Sequence, residues 1–301
     1  MRRFINQWLN FAQRAESAVN RYGQVMVKKS VREALRLDEV DLSTLDPAGR
    51  PVGPKNKKEA AEGLVATGTE LDTLQEALYA ENSRAVLLVL QGMDTAGKGG
   101  VVSHVVGLVN PQGVRIASFK KPTPAERRQH FLTRIRKVLP EKGRIGAFDR
   151  SHYEDVLVPK VERLLTAAEI RGRYKEINAF EKELADGGIT VIKCFLNISP
   201  EVQKERLLAR LDDPQKHWKY NPADIDSRSK WSKYQDAYTQ ALKNCSATPW
   251  YAVPSDRKWY RNWAISQLLL ETMREMDPKF PPPAYDIEAE KARLISNDPL
   301  R

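Results

Sequence analysis

The chain has 301 residues, with 49 lysines and arginines against 39 acids and a formal charge of +10. Its 41% hydrophobic and 29% charged residues suit a globular protein and exclude wholesale disorder. No run approaches the roughly 18–20 apolar residues of a membrane span, and two cysteines, Cys194 and Cys245, exclude a disulfide framework or a cysteine-built zinc or iron–sulfur site.

A cytoplasmic location is the expectation from that cysteine usage, and the first residues lack the apolar core and cleavage site of a secretory leader. In chain order, residues 1–24 read as an amphipathic helix, with Phe4, Ile5, Trp8, Leu9 and Ala12 at helical spacing. The Pro-, Gly- and charge-rich stretch 45–58 reads as an exposed connection, followed by a helix over 67–81. From residue 85 onward, strands and helices alternate. Strands are predicted at 85–91, 114–119, 144–149, 189–198 and 250–254. Helices are predicted at 97–109, 124–138, through about 184, at 201–211 and 226–243, and from 259 to about 276.

Such alternation implies βαβ units and a parallel five-stranded sheet covered on both faces, an α/β fold. The expected organisation is a helical N-terminal extension over 1–84, one domain over 85–280 and a tail over 281–301. Pro281, Pro282 and Pro283 are expected to stop regular structure and leave the tail loose on the surface.

The chemistry concentrates in three places. After the first strand comes Gly92-Met93-Asp94-Thr95-Ala96-Gly97-Lys98-Gly99-Gly100, a glycine-rich turn with a lysine at a helix start. Backbone N–H groups of Gly92, Ala96, Gly97, Gly99 and Gly100, the helix N-terminus and the Lys98 ammonium suit such a turn to phosphate. A nucleotide-triphosphate loop places Ser or Thr after the lysine to hold Mg²⁺, and Gly99 departs from that rule. Asp94 is then read as a metal ligand or as a group steering the acceptor phosphate oxygen, against the plainer reading of a turn aspartate.

Asp149 ends the third strand, where a second acid reaches the metal in phosphate-loop enzymes; helix capping is the alternative. Arg150 follows, placed for a phosphate oxygen. Arg206 and Arg210, four apart on one helix face, read as guanidiniums that close over transferring phosphates, or as partners of Asp212 and Asp213. Basic residues cluster at 120–137, where Lys120, Lys121 and Arg134 are candidate phosphate-binding residues, and again at 204–219. The excess charge points to a polyanionic partner.

The segments GMDTAGKGG, NPQGVRIASFKKPTPAE, GRIGAFDRSHYEDVLV and KERLLARLDDPQKHWK together resemble the family-2 polyphosphate kinases, over roughly residues 25–280. The resemblance implies a three-layer phosphate-loop kinase fold with a helical lid at about 200–225. It implies Mg²⁺-dependent, reversible transfer of the terminal phosphoryl group of inorganic polyphosphate to AMP or ADP, with GDP as a further acceptor and Mn²⁺ as an alternative metal. By position, Asp94 and Asp149 correspond to acidic metal-site residues, Lys98 to the loop lysine, and Arg150, Arg206 and Arg210 to phosphate contacts. The SHYEDVL segment resembles members that accept AMP as well as ADP, while many relatives carry Asn where this chain has Asp149.

The expected partners are polyphosphate and nucleotide (AMP, ADP, ATP) and, as a homo-oligomer, further copies in a dimer or tetramer. Neither nucleic acid nor membrane is expected. An ATP-dependent nucleotide kinase of the same fold, a nucleic-acid-binding protein and a catalytically silent phosphate sensor remain as competing readings. Gly99 weighs against the first, the lack of a recognised nucleic-acid module against the second, and the set of Asp94, Lys98 and Asp149 against the third.

Overall fold

The computed structural model describes residues 30–297. The helix expected over 1–24 lies outside them. Five strands form one parallel sheet: β1 (Ala85–Gln91), β2 (Val114–Ser118), β3 (Ile145–Asp149), β4 (Ile189–Asn197) and β5 (Trp250–Pro254), in the order β2-β3-β1-β4-β5. Every residue of β1 is buried, because β3 and β4 flank its edges and helices cover both faces. Its unbroken apolar run needs no polar side.

The helices, in chain order, are α1 (Val31–Leu35), α2 (Lys57–Glu81), α3 (Lys98–His104), α4 (Pro124–Arg127), α5 (Thr133–Arg136), α6 (Glu154–Val161), α7 (Ala167–Asp186), α8 (Pro200–Leu211), α9 (Ala223–Ser229), α10 (Trp231–Asn244), α11 (Lys258–Met276) and α12 (Ile287–Ser296). α11 packs on α2, α1 and α3 over one face of the sheet, while α7 packs on β4 beside α6 and α10 over the other. Leu71 and Leu78 of α2 and Leu268 and Leu269 of α11 are fully buried in that first layer. The result is a three-layer α/β architecture.

Several expected elements differ: the helix over 67–81 begins at Lys57, that over 97–109 ends at His104, and that over 226–243 is the pair α9 and α10. The basic helix over 124–138 is two short turns, α4 and α5. Thr123 and Glu126 form a capping box that starts α4. Arg134 turns inward on α5, where Nη1 donates to the Lys120 carbonyl at 2.9 Å and Nη2 to Asp155 at 2.8 Å. Burying that guanidinium and Ile135 fixes α5 in its own direction. The tail, expected to be irregular after the prolines, carries α12, begun by Asp286, whose carboxylate accepts from Glu288 N and Ala289 N. None of its residues is buried. Among the described residues no helix is long and apolar enough to cross a membrane.

β1 connects onward through α3 over one face, whereas β3 connects through α6 and α7 over the other. The carboxyl ends of β1, β3 and β4 therefore border a crevice between diverging connections, the usual ligand position in such a sheet.

Candidate active site

The turn after β1 wraps the N-terminus of α3. Gly97 has φ +109° and caps that helix without a side-chain bond. A β-carbon there would lie 1.7 Å from Nη1 of Arg261, so glycine is required by conformation and by space. Arg261, on α11, is itself buried and donates from Nη1 to the Ala96 carbonyl at 3.0 Å. Its Nη2 and Nε donate to Asn262 Oδ1 at 2.8 and 3.2 Å. Burial and the nearby charge of Arg206 hold Arg261 down to about 10. The phosphate turn thus has a guanidinium behind it that no carboxylate partners among the described residues.

Lys98 is buried, and its Nζ donates to the carbonyls of Gly92 at 2.7 Å and Met93 at 3.2 Å. The ammonium sits inside the ring of the turn. Desolvation and the Arg150 charge lower its pKa, against the pull of Asp94, Asp149 and Glu154.

Asp94 lies at the top of the turn and accepts a hydrogen bond from Arg150 Nη2 at 2.7 Å. Burial would push its carboxyl up, but the charges of Lys98, Arg150 and Arg210 outweigh it and hold the group below its ordinary value. Arg150 itself has φ +63°, a left-handed conformation that costs a non-glycine residue about 1–2 kcal/mol. Its backbone N–H donates to the Leu90 carbonyl at 3.1 Å, which carries the β3–β1 pairing past the strand end. Asp149, one residue earlier, pairs in register with Leu90.

The position where a triphosphate-binding loop places a hydroxyl is open. A β-carbon on Gly99 would meet only Asp149 Oδ2, at 3.9 Å. Two carboxylates, one beside that opening and one on the turn, are hard oxygen ligands of the kind Mg²⁺ takes alongside substrate phosphates. Among the described residues no group of three or more His, Cys, Asp or Glu forms an all-protein metal cage. The residues present fit an ion shared with phosphate.

The two arginines of α8 are placed differently from a freely sweeping pair. Arg206 Nη1 donates to the carbonyls of Thr95 at 2.9 Å and Ala96 at 3.4 Å, and Nη2 to those of Ser255 and Asp256, each at 2.8 Å. An arginine with both terminal nitrogens engaged on backbone braces the turn rather than reaching across it. Arg210 donates to the Lys219 carbonyl at 3.0 Å and to Asp224 Oδ2 at 3.3 Å, close enough to Asp94 to lower that carboxyl. Neither pairs with Asp212 or Asp213. Lys120 and Lys121 are exposed at the end of β2, whereas Arg134 is spent on Lys120 and Asp155 inside the fold.

Several site residues escape sequence reasoning. Gln203, fully buried on α8, donates to the Asp94 carbonyl at 3.1 Å and accepts from Arg228 at 3.0 Å. Asp224 on α9 is raised to about 6 by burial and by the Asp94 charge. Arg261 does carry a signal: a lone cation inside WYRNWAISQLLL, a stretch otherwise apolar enough to be core, demands a buried partner.

The family model of polyphosphate kinase 2 matches residues 54–281. The chain belongs to the polyphosphate kinase 2 family. Within it, an AMP/ADP-polyphosphate phosphotransferase of Meiothermus ruber is 42% identical over 81% of this chain and 92% of its own length. An ADP-polyphosphate phosphotransferase of Rhodopseudomonas palustris is 41% identical over 74% of this chain and 83% of its own. The crystal structure of polyphosphate kinase 2 from Arthrobacter aurescens TC1 superposes with a TM-score of 0.88, at 44% identity, covering 91% of this chain and 99% of that one. Family membership accounts for the fold.

Proposed function

We propose that this polyphosphate kinase 2 homologue transfers the terminal phosphoryl group of inorganic polyphosphate to a nucleoside mono- or diphosphate, AMP or ADP first and GDP as a further acceptor, and that it does so reversibly. The observation that carries this reading is the open position at Gly99 beside Asp149, in a turn whose lysine and helix start suit it to phosphate. It rests further on the names of the relatives, which act on AMP and ADP.

In this reading the amides of the turn and Lys98 hold the phosphates, while Arg150 and Arg210 face the charge that develops as the phosphoryl group leaves. Arg206 and Arg261 keep the turn in shape. Asp94 and Asp149 would hold Mg²⁺, or Mn²⁺ with the same oxygen ligands, and the ion would neutralise phosphate charge during in-line transfer. Residues 200–225 serve as the lid, on a kinase domain of 85–280 that carries 1–84 as an extension and 281–301 as a tail. Lys120 and Lys121 extend the cationic surface along which a chain of phosphates lies. Several contacts are needed, since one charge pair at 4 Å contributes about 1 kcal/mol in water and about 4 at an effective dielectric near 20. The working form is a homo-oligomer in the cytoplasm.

The test is formation of ATP from ADP, and of ADP from AMP, with polyphosphate as sole donor and Mg²⁺ varied. Turnover that needs both polyphosphate and the ion supports the reading. Turnover with ATP as the only effective donor to AMP would replace it by an ordinary nucleotide kinase.

A further inference from the structure

Beneath the turn that carries Asp149 and Arg150 lies a set of polar groups cut off from solvent. Lys193, in the middle of β4, and Glu181, on α7, are both fully buried, with Nζ and Oε2 2.7 Å apart. Lys193 Nζ also donates to the Tyr153 hydroxyl at 3.0 Å and to the Cys245 carbonyl at 2.9 Å, so all three ammonium protons have acceptors. The Tyr153 hydroxyl in turn donates to Glu181 Oε1 at 2.5 Å, and His152 Nε2 stands 3.4 Å from the same oxygen. Trp250 closes the set, its Nε1 donating to the Cys245 carbonyl at 3.0 Å and its ring 4.8 Å from the ammonium.

A wholly desolvated ion pair is a poor source of stability, because apolar side chains of similar volume do as well or better. Its position gives it another use. Tyr153 comes three residues after Arg150 and immediately before Glu154. On one side, the turn is tied to β1 by Arg150 N on the Leu90 carbonyl and by the contact between Gln91 and Ser151 Oγ at 2.9 Å. Downstream, Tyr153 is its only side chain that reaches the Lys193 ammonium. A left-handed arginine persists only where both ends of its turn are held.

We propose that Glu181, Lys193 and Tyr153 are positioning residues: through Tyr153 they clamp the turn so that Arg150 stays on Asp94 in the geometry that phosphoryl transfer needs. They touch no substrate. The inference rests on the proposed phosphotransferase reading only for its readout. Whichever donor the wild-type protein uses, polyphosphate or ATP, the ratio of variant to wild-type kcat reports on the clamp, so failure of the donor assignment and failure of the positioning show separately.

Two variants test it. Tyr153→Phe removes one hydroxyl and leaves the Glu181–Lys193 pair intact. We expect kcat to fall about tenfold or more, as small misplacements do, with KM for donor and acceptor within about threefold. The melting temperature should fall only by what two lost hydrogen bonds to buried Lys193 and Glu181 contribute, well short of the loss in either charge-stranding single variant. Glu181→Leu with Lys193→Met replaces the pair by apolar groups. Either single change should lower the melting temperature sharply by stranding a buried charge, and the double change should restore most of it while kcat stays low. Stability recovered without turnover is the signature of positioning. Recovery of kcat together with the melting temperature in the double variant, or wild-type kcat in Tyr153→Phe, overturns the proposal.

Discussion

Gly99 faces the Asp149 carboxylate across open space, and a β-carbon on it would make an ordinary 3.9 Å contact with Oδ2. Two residues earlier the same addition would collide with Arg261 at 1.7 Å. Gly99→Ala is therefore expected to fold normally and to gain up to about 0.5–1 kcal/mol, as for glycine replaced inside a helix. Gly97→Ala is expected to lose stability and phosphoryl transfer together, through its positive φ and the displaced guanidinium. Thermal melts with turnover assays on the two variants read the contrast, and equal behaviour would show that Arg261 does not fill that space.

Lys98 and Asp94 occupy the turn as opposite charges with separate partners. Lys98→Ala and Asp94→Asn are each expected to abolish transfer while circular dichroism still reports the parent fold; Lys98→Ala should also lower the melting temperature, since it strands the Gly92 and Met93 carbonyls. Near-normal turnover in either variant removes that residue from the mechanism.

Arg206 joins the turn at Thr95 and Ala96 to the segment after β5 at Ser255 and Asp256. Truncation to alanine strands these carbonyls, at a cost of about 1–3 kcal/mol for each that water cannot reach. Lysine, a point charge without the planar fork, cannot serve both sides. Arg206→Lys is expected to lower both the denaturation midpoint and kcat. A variant with unchanged stability would restore the picture of an arginine that swings over the phosphates.

Asp224 is held at about 6 in the fold, against an ordinary value of 3.8. Its protonated form is thus the one the fold favours. The stability this contributes is complete below about pH 4 and is lost as the pH rises through about 6. Protonation also removes a negative charge beside Arg210 and Asp94, so phosphate affinity is expected to strengthen as the pH falls through the same range. Asp224→Asn should flatten both dependences, measured by chemical denaturation and by KM for the donor between pH 5 and 7. Identical slopes in parent and variant would assign the titration to another group.

α12 has no buried residue, and the segment from Pro281 to its start is likewise exposed. Ending the chain after Pro283 is expected to leave the melting temperature within about 2 °C, since so little packing is removed. A larger drop would show that α12 is held by something outside one chain.

The sheet was legible because its strands are apolar runs bounded by turn residues: β1 and β5 begin and end where their residues change character. The phosphate turn was legible for the same local reason, glycines and a lysine in nine consecutive positions. Arg261 and Lys193 were not, because packing chooses their partners: Ala96, 165 residues away, for one, and for the other Glu181 on the preceding helix together with Tyr153 and Cys245, 40 and 52 residues away. A cation inside an apolar run says that a partner exists without saying which. Arg134 and Arg206 read from sequence as phosphate contacts because charge is visible there, whereas the carbonyls they bond are set by tertiary packing. The break between α4 and α5 has the same origin.

The bond from Arg261 to Ala96 spans 165 residues. A nascent chain therefore carries its glycine turn out of the ribosome long before the arginine that shapes it exists, and β1 must also wait for β4 before both its edges are paired. Contacts so distant in sequence make assembly slow, and they couple the final shape of the glycine turn to completion of nearly the whole polypeptide. Fragments that stop short of α11 hold every residue of the turn and yet lack the guanidinium that fills the space behind Gly97.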